Sequence, residues 1–573
     1  MTQENDQVAG NDASYARLSD IDEFIARTQD YADGKLTSDQ YRAYRLTRGV
    51  YGQRQDGVFM MRVKLPGGIV SPPQIRVLAD LAAHAPDGNG HITTRENMQF
   101  HHMPPAEVPG WMRKLAQAGV TMVDACGNAV RTVTQDPYAG LAQDDAFDTT
   151  PYLDAITRFF LRNPRALNLP RKFKIGLSSS PEDRAYAAIN DLGLVALRTA
   201  DGKPAFRVMI GGGLASMPRS GLCVHEAWPA SDILTPCAAA IDLFQEHGNR
   251  KVRSKARIKH VLRKMGDEAF GALYQEYLAR VQADPPPTLS DIAQEPSATP
   301  WSWQRPTQPT DFAAWARTCV RETRLRDRVF VTIRLDRGGE VTAQNLTDLA
   351  DLTARYGEGF LHFTPQQNAV LRAVPVADLP ALHGALLAAG LGKPGSGTIL
   401  DITSCPGVST CNLGVTLSRN LADELTELVA ARGDADLSIK ISGCHNSCGH
   451  HHVGTIGLYG ALKRIDGRPA PHYRLLVGGG VHAAGAVFGE DLGLLPAHRV
   501  SQAVRRLLEH ADRLRAPDET AGAFLRRTPP VELRPVVADL LNMAEADATE
   551  HDFWDIGAQA PFQVEAREGE CAA

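Results

Sequence analysis

Nine cysteines lie in this chain of 573 residues, and four of them are grouped. Cys405 and Cys411 form C-x5-C in SCPGVSTCNLG, and Cys444 and Cys448 form C-x3-C in SGCHNSCGHHHVG. Four thiolates saturate a cubane iron–sulfur cluster, because soft sulfur suits iron and each corner takes one ligand. Gly407, Gly443 and Gly449 stand where the backbone must bend around such a centre, and backbone donors there tune its potential. Zinc competes for the same residues, although structural zinc favours C-x2-4-C knuckles and C-x5-C is loose for that role. A quartet that holds no metal is the third reading. His450, His451 and His452 follow Cys448. Three consecutive histidines cannot aim at one ion from regular structure, so packing or hydrogen bonding is expected of most of them. Cys126, Cys223, Cys237, Cys319 and Cys571 are scattered singly and read as buried or incidental thiols.

The elements around these residues follow a plan written twice. Leu78-Ala79-Asp80-Leu81 recurs as Leu349-Ala350-Asp351-Leu352, and His91-Ile92-Thr93 answers His362-Phe363-Thr364, both 271 positions later, as Asn97 answers Asn368. Asp201 to Ala205 is echoed by Asp466 to Ala470, and Phe206 to Gly213 by Tyr473 to Gly480. Matches in one order at a nearly constant offset imply a pseudo-twofold pair, with any cofactor at the seam. Between the halves, 284–310 contains seven prolines with Trp301 and Trp303. That density predicts an extended linker, and the tryptophans predict that it packs on a domain. Val58 to Leu65 reads as a strand and Ser71 onward as a helix with Ile75, Leu78, Ala79 and Ala82 on one face. Leu421, Leu425, Leu428 and Val429 have helical spacing, with Gly433 as the stop. Leu437, Ile439 and Ile441 alternate with polar residues as a half-buried strand that leads into Cys444.

C-x5-C followed by S-G-C-x-N-x-C-G resembles the signature of the siroheme-containing sulfite and nitrite reductases, and the likeness runs from about Tyr51 to about Leu507. It implies an α+β, internally duplicated fold: two ferredoxin-like half-domains and two mixed α/β domains that bind siroheme and cluster. The expected divisions are an N-terminal extension 1–50, a first half-domain 51–120, a first siroheme and substrate domain 121–283 and a linker 284–324. A second half-domain 325–395, a cluster and siroheme domain 396–512 and a C-terminal extension 513–573 complete them. The resemblance further implies a 4Fe-4S cluster on Cys405, Cys411, Cys444 and Cys448, with Cys448 shared with the siroheme iron and Asn446 against the macrocycle. His445 stands where many relatives carry proline.

Siroheme is rich in carboxylates and the substrate is an anion, so cations must gather around both. Arg62 in MMRVKLPGG, Arg131 in GNAVRTV, and Lys172 and Lys174 in LPRKFK match the family's anion-binding positions. Arg95, Gln99, Arg171, Lys255 and Arg257 match its siroheme contacts. Taken singly, each reads as a solvated surface cation; Arg62, Lys172 and Lys174 lie in apolar segments, which argues against that. The repeat has Gln366 where the first copy has Arg95, as expected if one half keeps a working site. Lysine at 174, where plant-type nitrite reductases tend to have asparagine, favours sulfite over nitrite as the substrate of a six-electron reduction. The IGGG and VGGG runs lack a G-x-G-x-x-G turn, so electrons are expected from a flavoprotein subunit or a ferredoxin.

A hydrophobic content of 43%, a charged content of 22% and a net charge of −5 describe an ordinary globular chain and argue against a general nucleic-acid binder. No apolar run is long enough for a membrane span, and the start, with Glu4, Asp6 and Asp12, is unlike a secretory signal. The expected location is cytoplasmic, where grouped cysteines bind metal more often than they form disulfides.

Overall fold

The computed structural model describes residues 14–289, 301–308, 310–482, 485–541, 548–564 and 570. The acidic start and Cys571 lie outside the described residues. Strand Phe59–Val63 pairs antiparallel with Val50–Gly52 and Met98–Met103, and the latter pairs with Asn89–Ile92. The fifth strand of that sheet, Glu340–Thr342, comes from the second half of the chain. The second half repeats the arrangement with Val320–Glu322, Arg328–Ile333, Ala369–Pro375 and Leu361–Phe363, and takes its fifth strand, Ile69–Val70, from the first half.

The halves therefore exchange equivalent edge strands. Each exchanged strand runs straight into a helix, Pro72–His84 or Ala343–Arg355, and these two helices pack on each other. Ser71 and Gln74 form a capping box at the first; the Thr342 hydroxyl caps the second. Reciprocal exchange gives both halves one core, in which Leu78 and Leu81 lie with Leu349 and Leu352. Covering each edge strand with its partner also removes an unpaired ladder.

The other two units share a second topology. Thr134–Gln135, Ile175–Ser178 and Leu192–Arg198 run parallel, and Pro204–Ile210 and Leu222–Pro229 complete the sheet antiparallel. Thr403–Ser404, Ile439–Ser442, Ile456–Ile465, Arg468–Val477 and Glu490–Pro496 repeat the order. Each sheet has its own buried core. Among the described residues no helix is long and apolar enough to cross a membrane.

Three local expectations need correction. The helix Ser418–Leu428 ends on Val429, before Gly433. Strand Ile439–Ser442 is buried along its whole length, not half-buried, because it is flanked by parallel neighbours and covered on both faces. The linker, of which 290–300 and 309 lie outside the described residues, ends at Thr310, short of the expected 324: helix Asp311–Cys319, with Trp315 buried, and strand Val320–Glu322 already belong to the second ferredoxin-like half. Within the linker, Trp301 and Trp303 pack on the shared core as expected.

Candidate active site

Parallel strands deliver the cysteines. Cys405 follows Thr403–Ser404 and Cys444 follows Ile439–Ser442; the two strands are neighbours in register, so both thiols leave the same carboxyl edge of the sheet. That edge is where open α/β sheets place ligands. Gly407 has φ +63°, and a side chain on Gly443 would strike its Cα, so the two cysteine loops interlock through glycine. The Gly443 N–H points at Cys405 Sγ, 3.2 Å away, and the Asn446 amide reaches Cys444 Sγ at 3.5 Å. Burial pushes the Cys444 thiol up to about 12, and nearby Cys448 and Cys405 push the same way. Cys448 is exposed, Cys405 and Cys411 half-buried. Among the described residues no three His, Cys, Asp or Glu side chains converge on one ion.

The first half meets this loop across the seam. Thr94 Oγ1 donates to the Cys448 carbonyl at 2.8 Å. Burial holds the Lys174 ammonium well below its ordinary range; Arg95, Arg257 and Lys172 add to that, and Cys448 opposes it. Lys174 therefore joins the cations of one half to the exposed cysteine of the other. Arg95 donates to Asn190 Oδ1 (2.8 Å) and to the Thr132 and Ile175 carbonyls, and burial depresses it to about 9. Arg257 grips buried Asp191 through two bonds of 2.7 and 2.8 Å, and Asp191 also accepts the Lys174 N–H.

Arg62, Gln99 and His91 lie side by side across three strands of the first sheet. Turned so that its oxygen faces the guanidinium, the Gln99 amide accepts from Arg62. Arg62 also covers the Tyr51 ring, 5.4 Å from its centroid, and Arg131 reaches the Tyr51 hydroxyl at 3.3 Å. Arg131 is buried, with further bonds to the Gly127 and Ala125 carbonyls. Arg171 and Lys172 are half-buried in the loop before Lys174. Lys255 is the outlier, exposed on a short turn, Arg253–Lys255.

Sequence reasoning passed over several neighbours. Lys64, two residues beyond Arg62 on the same face, is buried and pressed down to about 8 by desolvation, with Asp124 opposing and Arg131 and Arg95 adding. Its signal was the alternation R-x-K inside an apolar strand. Asp191 and Tyr51 carried no comparable signal. His91 Nδ1, both nitrogens of His101, Arg95 Nε, Arg419 Nε and His450 Nδ1 are buried without a hydrogen-bond partner. Such a set is costly unless a ligand supplies acceptors. A carboxylate-rich macrocycle fits these donors and the surrounding cations. The three histidines divide: His450 meets Tyr186 edge-on, while His451 stacks on Tyr459 and lies against His452, 4.2 Å between ring centroids.

Comparison with known proteins agrees with this architecture. The model of the nitrite/sulfite reductase ferredoxin-like half domain matches residues 51–118 and 324–389. That of the nitrite and sulphite reductase 4Fe-4S domain matches 126–281. The chain belongs to the nitrite and sulfite reductase family. This reductase is 29% identical over 439 residues to a sulfite reductase (ferredoxin) of Mycobacterium tuberculosis, covering 72% of this chain and 75% of the relative. It is equally similar, 29% over 434 residues, to a ferredoxin–nitrite reductase of Synechococcus elongatus, covering 74% and 80%. The structure of Mycobacterium tuberculosis NirA protein superposes with a TM-score of 0.76 at 26% identity, covering 90% of this chain and 95% of that one. The duplicated α+β fold is thereby established. The 4Fe-4S domain match falls on the copy without the quartet, whose sheet order the cysteine-bearing copy repeats.

Proposed function

We propose that this reductase converts sulfite to sulfide, taking six electrons from a ferredoxin. Cys405, Cys411, Cys444 and Cys448 would hold a 4Fe-4S cluster, Cys448 also facing a siroheme held by Arg95, Gln99, Arg171, Lys255, Arg257 and Asn446. When bound, these groups supply the electron chemistry. The protein's part is to attract, orient and protonate the oxyanion.

The observation that carries this reading is Lys174, which has Arg95, Arg257 and Lys172 around it and feels Cys448 from the other half of the chain, where Thr94 bonds the Cys448 carbonyl. In a water-poor pocket such cations stabilise oxyanion charge far more than they would in solvent. Arg62 and Arg131, joined through Tyr51, form a second pair of anion donors. Lys172 and Lys174 are the proton donors for oxygen leaving as water. A depressed ammonium gives up its proton more readily, which suits Lys174 to that role. Two lysines also fit a doubly charged, three-oxygen anion better than nitrite. Nitrite reduction to ammonium is the second reading, favoured by the equal likeness to the Synechococcus enzyme. Ferredoxin is preferred over a flavoprotein because it appears in the names of both relatives.

The test is an absorption spectrum of the purified holoprotein followed by turnover of both anions with a reduced artificial donor. A siroheme spectrum with higher kcat/KM for sulfite is expected. Colourless protein with stoichiometric zinc would overturn the cofactor assignment, and a large preference for nitrite would overturn the substrate.

A further inference from the structure

Strand Val50–Gly52 carries Tyr51, the residue that touches both Arg62 and Arg131. Its flanks are held from outside the sheet. Arg45 donates to the Val50 carbonyl at 3.1 Å, and the Gly52 N–H donates to a Glu570 carboxylate oxygen at 2.6 Å. Arg45 and Glu570 pair directly, with side chains only 9% and 14% exposed. Gly52 and Glu570 are 518 residues apart in sequence.

The pseudo-twofold copy shows what this pair is. In register, Val320 and Glu322 take the places of Val50 and Gly52. There Arg305 donates to the Val320 carbonyl at 3.2 Å and pairs with the Glu322 carboxylate at 2.9 Å. In both copies, then, an arginine bonds the same strand carbonyl and a carboxylate that lies at the position two residues on. In one copy the strand's own glutamate provides the carboxylate. In the other that position is glycine, and a Cβ built on it would meet Glu570 Oε1 at 3.0 Å.

We propose that Glu570 is a positioning residue for oxyanion binding, the borrowed carboxylate of a clasp that holds Tyr51 against Arg62 and Arg131. The inference rests on the reading of those arginines as substrate donors. Arg45 is buried against the Phe59 ring, 4.7 Å from its centroid. Without Glu570 it keeps one carbonyl, and the strand edge at Gly52 loses its acceptor. Residues 50 and 52 then move more freely on either side of Tyr51, and the arginines lose their common anchor.

The test uses the holoenzyme with Glu570→Ala, which removes the acceptor and leaves room at position 52, and Gly52→Glu added to that variant. Glu570→Ala is expected to raise the KM for sulfite about tenfold, with kcat within about twofold. The sulfite Kd, read without turnover from the change in visible absorption, should rise in parallel. Gly52→Glu should restore both by placing the carboxylate where the other copy has Glu322. A KM and Kd unchanged in Glu570→Ala, or a loss confined to kcat, would overturn the clasp. So would failure of Gly52→Glu to rescue a protein of normal spectrum and thermal stability. If the unmodified holoenzyme neither bound nor reduced sulfite or nitrite, the functional reading itself would fall, and this inference with it.

Discussion

The two sheet domains differ where they most resemble each other. Register places Ile175 over Ile439 and Leu192 over Ile456, and the bond from Leu192 N to the Lys174 carbonyl recurs from Ile456 N to the Ser438 carbonyl, both at 3.0 Å. On that alignment Lys174 answers Ser438 and Asp191 answers Thr455. The Lys174 N–H to Asp191 bond becomes Ser438 N–H to Thr455. Arg526 binds Thr455 and Asp436 there, as Arg257 grips Asp191 in the first copy. One scaffold therefore carries a net excess of cations in the first copy and a neutralised arginine in the second.

The cysteines tell the converse story. Ser180 and Arg184 occupy the places of Cys444 and Cys448, and Asp136 that of Cys405. Instead of thiols, the first copy has an ion-pair cluster: Arg184 binds Asp136 at 2.9 Å and Asp144 at 2.6 Å, and Ser179 bonds Asp145 at 2.6 Å. Beside it lies a cavity of about 410 Å³ lined by Gln143, Asp144, Glu182, Arg184, Arg321 and Glu322. Tyr186 and His450, equivalent residues both in the left-handed region, meet at 5.4 Å between ring centroids. The pseudo-axis passes between them, so the cations of one copy and the cysteines of the other face one site. The positions that hold the cysteine quartet in one copy hold a salt-bridged mate in the other.

This comparison can be attacked at both ends. The largest effect is expected from Cys448→Ser, which should cut sulfite turnover on the order of a thousandfold and alter the visible spectrum. Retained turnover would mean that Cys448 is no more special than its mate Arg184. Lys174→Asn comes next, lowering kcat/KM about 100-fold for sulfite and about 10-fold for nitrite. Equal losses would remove Lys174 as the discriminator.

The smallest effect belongs to the mate site. Burial, with Asp136 adding, raises Asp145 from 3.8 to about 7. The folded state then binds more protons than the unfolded one between these values, so stability falls as pH rises through that window. Asp145→Asn removes this penalty. It should stabilise the protein by about 2 kcal/mol above pH 7, with the gain vanishing toward pH 4. Denaturant titrations across that range check it, with turnover expected to stay within about twofold. A gain at low pH only would reverse the sign of the argument.

Much of this was legible in the chain itself. The repeated LADL and GGG runs disclosed the duplication, and the cysteine spacing singled out the quartet proposed to hold the cluster. Both rest on local chemistry, hydrophobic face and turn in one case, ligand type in the other. The edges of local elements were less legible. Gly433 looked like a helix stop, but packing ended the helix at Val429, and the segment from 311 looked like linker until Trp315 found the shared core.

Other features depend on residues far apart in sequence, and only the fold could decide them. Whether Ile69–Val70 and Glu340–Thr342 pair at home or across the axis depends on which edge is open, and no periodicity encodes that. Nor does any local signal tell a surface cation from a buried one. Arg95 and Lys255 have similar sequence credentials, yet desolvation acts on the first while the second faces solvent. The sequence by itself determined which groups this reductase owns: four thiolates, a run of cations and two copies of one scaffold. Tertiary structure decided which of them share a site, because charge and ligand effects act over a few ångströms and the chain reaches those distances only by folding across its own axis.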